Sequence, residues 1–109
     1  MTVDVRVCAR EELAPGQCRF VEHGSRRVAV FHATDALFAI DDVCPHRGGP
    51  LSEGYLEGYL VTCPWHGWQF DVRTGACDTV RNRDVRVYPV KVDEHGVHVT
   101  LPDDSVPTA

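Results

Sequence analysis

With 109 residues, 43% of them hydrophobic, the chain has length for a single domain, 1–109, with one modest core. Its 16 acidic against 11 basic side chains leave a net charge of −5, which argues against a nucleic-acid partner and suits transient docking on positively charged proteins. No run approaches the ~20 apolar residues of a membrane span, and Met1 to Arg6 alternate where a targeting segment would place a basic stretch before an apolar one; the expectation is a soluble, cytoplasmic protein with no membrane partner.

Val3, Val5 and Val7 alternate with Asp4, Arg6 and Cys8, the signature of a half-buried strand. The segment Glu11 to Gly16 breaks that pattern as a turn or a single helical turn ended by Pro15-Gly16. Cys18 to Glu22 and Arg27 to His32 flank His23-Gly24-Ser25, which reads as a hairpin, and Leu37 to Asp41 follows the turn Thr34-Asp35-Ala36. Further along, Gly54 to Gly58 reads as a turn, Tyr59 to Thr62 and Trp68 to Val72 as strands, and Arg73-Thr74-Gly75 as the turn after them. Asp78 to Asp84 is a polar connection. Val85 and Val87 share a parity that Val90 and Val92 do not, so a bulge or strand crossing is expected near Tyr88-Pro89. Asp93 to Gly96 closes a last hairpin with Val97, Val99 and Leu101, and residues 102–109 form a frayed tail. Short strands at close spacing make the fold all-β, an antiparallel sandwich or barrel.

Chemistry concentrates between Cys44 and His66. Cys44-Pro45-His46-Arg47-Gly48-Gly49-Pro50 and Cys63-Pro64-Trp65-His66-Gly67-Trp68 each pair one cysteine with one histidine, Cys-x-His in the first stretch and Cys-x-x-His in the second. Two thiolates and two imidazoles suit either a tetrahedral zinc or an asymmetric two-iron centre. Structural zinc sites usually group cysteines together and histidines together. A [2Fe–2S] cluster with both cysteines on one iron and both histidines on the other takes one of each from two facing loops, as here.

The two motifs, with Leu37 to Asp41 before them and Phe70 to Gly75 after, closely resemble the Rieske family and its small soluble ferredoxins, over residues from about 13 to 101. The resemblance implies a cluster-binding part at about 42–84 inserted in the β sandwich. It also implies that Cys44 and Cys63 hold the inner iron and His46 and His66 the outer one, near the tip of the protein, where oxidation would couple to loss of a proton at high pH. Neutral imidazoles in place of two thiolates raise the potential to roughly −150 to +300 mV, from about −400 mV in plant-type ferredoxins. High-potential relatives carry a disulfide between the loops and donate to cluster sulfur from a serine and a tyrosine. Gly49 and Trp65 stand at the disulfide positions and Trp68 and Phe70 at the donor positions, so a potential near the bottom of the range, about −150 mV, is expected. The segment 78–84 stands where many relatives have a proline-containing loop over the cluster, and it has no proline; Arg81 and Arg83 within it are expected to be solvated.

Cys8, Cys18 and Cys77 are expected to be reduced, buried and inert, and His23, His32, His95 and His98 to be surface or satisfied core residues. Trp65 is either loop packing or an aromatic that meets a partner, and Tyr55 and Tyr59 read as packing residues. No Ser/His/Asp set, phosphate loop, dinucleotide fingerprint or mononuclear iron triad is present, so no catalytic residue is assigned and the chain reads as an electron carrier. The resemblance implies a monomeric one-electron shuttle from an NAD(P)H-dependent flavoprotein reductase to a terminal oxygenase. The alternatives are the small subunit of an NAD(P)H-dependent nitrite reductase, held by its large subunit, and a zinc-stabilised binding module.

Overall fold

Val28-Ala29-Val30-Phe31 is a continuous apolar run where most of the chain alternates, and all four side chains are buried. A strand with both faces covered has that composition. In the computed structural model, which describes residues 2–44, 48–65, 67–80 and 83–102, this run is the centre of β3 (Arg26–Ala33). β3 lies between β2 (Cys18–His23) and β4 (Ala36–Asp41), with the short β8 (Val87–Tyr88) on the far side of β4.

The two faces of β3 serve two cores. Val28 and Val30 join Ala39, Tyr88, Val97, Val99 and Leu101 in one. Val97, Val99 and Leu101 come from the sheet of β1 (Thr2–Cys8), β10 (Gly96–Pro102) and β9 (Val90–Asp93), in that order across the sheet. Ala29, Phe31 and Ala33 join Ile40, Cys44, Leu51, Val61, Cys63, Phe70 and Val72 in the other. That second core lies against the sheet β5 (Tyr55–Glu57), β6 (Leu60–Thr62) and β7 (Gln69–Asp71). Every strand pairing is antiparallel, and no α-helix occurs among the described residues. The all-β expectation holds.

The parity change at Pro89 is a crossing between sheets: β8 pairs with β4, whereas β9, one residue later, pairs with β10. The hairpin at His23-Gly24-Ser25 forms, with Gly24 in the left-handed region. The expectation of a turn over Gly54 to Gly58 is corrected. Tyr55 to Glu57 form β5, paired with Leu60 to Thr62, and the reversal is at Gly58-Tyr59. Gly54 has no room for a Cβ because the Thr62 carbonyl lies against it, so it is a site of close backbone approach. Tyr55 is 73% exposed and does not pack as expected. Tyr59 does: its ring meets Phe38 edge-on at 5.9 Å, lies under the Arg73 guanidinium at 4.1 Å, and its hydroxyl bonds Thr34.

Candidate metal centre

Cys44 follows the end of β4 and Cys63 follows the end of β6, and the described backbone makes the same hydrogen bonds around each. The Cys44 amide donates to the Gly49 carbonyl at 2.9 Å and the Gly48 amide returns to the Cys44 carbonyl at 2.8 Å. In the second loop the Cys63 amide donates to the Trp68 carbonyl at 2.7 Å and the Gly67 amide returns to the Cys63 carbonyl at 3.0 Å. Gly48 and Gly67 occupy the same place in the two loops, with φ of 75° and 76°, a conformation that penalises a side chain. Each loop is closed by an antiparallel pair in one register, Val43 with Pro50 and Thr62 with Gln69. The described parts of the two loops therefore repeat one knuckle-like pattern.

The two knuckles face each other. Cys44 and Cys63 are 1% and 2% exposed and share a core with Leu51, Val61 and Phe70, all fully buried. Gly49 of the first knuckle is buried against the second: a Cβ there would lie 2.9 Å from Cys63 Sγ and 3.0 Å from the Trp65 ring. The positions that carry the inter-loop disulfide in high-potential relatives are thus neighbours in space, filled here by a glycine and an indole. Phe70, at the tyrosine position, has no donor to offer, and its ring is sealed in the core. Trp65 packs over Gly49 and yet leaves 56% of its surface exposed, and Val43, beside Cys44, is 45% exposed. His46, His66, Pro45 and Arg47 lie outside the described residues, as do Arg81 and residues 103–109.

The proline-free connection is anchored beside the second knuckle. Cys77 bridges to Phe70, the Asp78 amide donates to the Gln69 carbonyl at 2.8 Å, and Thr79 Oγ1 accepts from the Gln69 amide at 3.0 Å. Cys77 Sγ accepts the Val80 amide at 3.3 Å, and Asp84 accepts the Cys77 amide at 3.0 Å. Arg83 is exposed, as expected.

The remaining thiols are free, and Cys77 does more than fill space. Burial, then the nearby Asp42 carboxylate, push the Cys18 thiol up to about 12, and burial also raises Cys8. Among the other histidines, His32 Nδ1 lies 2.8 Å from the Leu13 carbonyl and His98 Nε2 is 3.2 Å from Asp93. His95 is exposed, 3.6 Å from Glu94, and buried His23 Nε2 has no hydrogen-bond partner among the described residues.

Paired knuckles with buried thiols on an antiparallel β scaffold suit a metal centre held between two loops. The family model for the Rieske [2Fe–2S] domain matches residues 3–89. A ferredoxin subunit of 3-phenylpropionate/cinnamic acid dioxygenase from Photorhabdus laumondii is 38% identical, over 90% of this chain and 94% of its own. The anthranilate 1,2-dioxygenase ferredoxin subunit of Burkholderia cepacia is 42% identical, over 72% and 73%. In the solved complex of reduced oxygenase and oxidised ferredoxin of carbazole 1,9a-dioxygenase, a chain 35% identical superposes with a TM-score of 0.80, over 88% of this chain and 91% of that one. The chain belongs to the Rieske [2Fe–2S] family. It is an electron carrier that holds one Rieske-type [2Fe–2S] cluster, not a catalytic enzyme. The two buried thiols on facing knuckles, each followed within three residues by a histidine in the sequence, fit that group's donor set.

Proposed function

We propose that Cys44 and Cys63 hold one iron and His46 and His66 the other, and that residues 42–84 form the cluster-binding part; Pro102, expected to open a tail, is instead the last residue of β10, paired with Thr2. The observation that carries this reading is the repeated knuckle, because two loops with the same hydrogen bonds and the same glycine conformation present their cysteines equivalently. The histidines follow those cysteines inside the same loops.

The chain works as a monomeric cytoplasmic shuttle, taking one electron at a time from an NAD(P)H-dependent flavoprotein reductase and delivering it to a terminal oxygenase. The names of the relatives support the acceptor class, and no helix among the described residues is long and apolar enough to cross a membrane. Exposed Trp65 and Val43, each one or two residues from a ligand cysteine, give the cluster end an apolar contact surface.

The test is a reconstituted chain of NADH, a flavoprotein reductase, this protein and a ring-hydroxylating oxygenase, with oxygenated product measured. Product that requires this protein, and is lost in Cys44→Ser and His66→Ala, supports the reading. Permanent co-purification with a nitrite reductase large subunit, and no turnover with oxygenases, overturns it.

A further inference from the structure

The two knuckles differ in character at the position two residues before each cysteine. Two residues before Cys63 stands Val61, an apolar residue in β6 paired with Phe70 of β7. Two residues before Cys44 stands Asp42, which is 0% exposed; no other polar or charged side chain is buried among the described residues. The second knuckle is braced by the strand ladder on its return, from Gln69 to Asp71. The return of the first enters a single 3-10 turn, Leu51–Glu53, and has no ladder. Asp42 supplies the missing brace. Its carbonyl accepts the Leu51 amide at 2.7 Å and its Oδ1 accepts the Ser52 amide at 2.6 Å.

The opposite charge comes from the central strand. Arg27 faces the same side of β3 as Ala29 and Phe31, and its Nε and Nη2 donate to Asp42 Oδ2 at 3.1 and 2.9 Å. The Asp42 amide also donates to the Arg27 carbonyl at 2.9 Å. The guanidinium is steadied by the Phe20 ring, 4.5 Å from its centroid, and by Glu22 at 3.6 Å. A neutral asparagine would accept the Ser52 amide equally well, and burying a carboxylate is expensive even when it is paired. The charges are also placed unequally. Asp42 is sealed beside Cys44, whereas the Arg27 side chain is 39% exposed and water screens it.

We infer that Arg27 and Asp42 are positioning residues for the cluster: the pair clamps the base of the first knuckle, and the buried Asp42 carboxylate, only partly offset by Arg27, opposes the arrival of an electron and keeps the potential low. This rests on Cys44 being a ligand, as proposed above. It adds a source of low potential that is independent of the donors missing at Trp68 and Phe70.

The experiment compares Asp42→Asn, Arg27→Gln, Arg27→Lys and the double variant Arg27→Gln/Asp42→Asn, each reconstituted and read by midpoint potential, EPR and the rate of iron loss to a chelator. Asp42→Asn is expected to favour reduction roughly tenfold, about 59 mV for a one-electron couple. Arg27→Gln shifts the potential the other way, and the double variant lies between the two. Arg27→Lys keeps the charge without the fork, so it holds the wild-type potential while losing iron faster. Both single variants shifting the potential in one direction, or Asp42→Asn leaving it unmoved, overturns the inference. If Asp42→Asn takes up no cluster, the two Arg27 variants decide, and equal potentials in Gln and Lys overturn it. Wild-type protein without a Rieske spectrum defeats the ligand assignment itself, before any variant is compared.

Discussion

Gly49 is a residue whose side chain must be absent. Its Cα faces Cys63 Sγ and the Trp65 ring so closely that a methyl group would sit 2.9 Å from the sulfur. Overpacking of this kind costs about 1–3 kcal/mol, and here it would push apart the two loops proposed to hold the cluster. Gly49→Ala should therefore fold, since its conflict is local, but bind clearly less than a full complement of iron, measured by metal analysis and visible absorbance. Phe70 offers the converse test. Phe70→Tyr restores the hydroxyl that high-potential relatives place there and should raise the midpoint potential, whereas an unchanged value would mean that the hydroxyl does not reach sulfur. Cys18 makes a third case. With its thiol pushed up to about 12 by burial and by Asp42, it should resist iodoacetamide at pH 8 in the folded protein and react once the chain is unfolded. The raised value also fixes the sign of its linkage to stability. Its contribution is complete below the ordinary thiol value of 9.0 and drains away as pH rises from there toward 12.

At the scale of elements, the second knuckle depends on the β6–β7 hairpin and on the turn that follows it. Asp71 closes that turn, accepting the Arg73 amide at 2.8 Å and a two-point contact from the Arg73 guanidinium, and this partnership holds its carboxyl below the usual range. Because the folded-state value is depressed, the stabilisation is present at neutral pH and is lost as pH falls through it. Arg73→Ala should flatten the acid side of the stability profile. It should also free the Tyr59 ring from its cation–π contact, visible as a change in Tyr59 fluorescence or NMR shifts. Much of this scaffold can be read from sequence, because alternation, Gly24 and Pro89 each act within a few residues. The stretch Gly54 to Gly58 misleads because glycines usually mark turns, whereas Gly54 is small to admit the Thr62 carbonyl, a partner eight residues away that no local pattern announces. The proposed ligands stand out in the sequence as Cys/His pairs. The equivalence of the two knuckles is hinted at by the Cys-Pro-x-x-Gly that both share, but the shared hydrogen bonds and φ angles that establish it are not written in the sequence. Asp42 is hidden for a similar reason: its meaning depends on Arg27, fifteen residues earlier on another strand.

Across the whole molecule, β3 joins two cores, one that stabilises the sandwich and one that carries the cysteines. Truncating Phe31, fully buried on the cluster side, should cost about 3–5 kcal/mol as Phe31→Ala and should loosen the cluster along with the fold. Truncating Trp65 separates docking from folding. Trp65 is 56% exposed, and Trp is enriched among the few interface residues whose truncation costs most of the binding. Trp65→Ala should slow transfer to the oxygenase several-fold while the fold remains intact, read by stopped-flow oxidation alongside circular dichroism. The net charge of −5 adds a further signature: if docking is steered by charge, that transfer rate falls as salt is added.

The central claim is that two facing knuckles hold an asymmetric [2Fe–2S] cluster of low potential, and a single reductive titration of anaerobically reconstituted protein, followed by EPR with iron and sulfide measured on the same sample, tests it most directly. The expected result is two irons and two sulfides per chain, the low average g of mixed cysteine and histidine ligation, and a midpoint near the bottom of the Rieske range, about −150 mV. A colourless protein that holds zinc, or a midpoint clearly above zero, would contradict it.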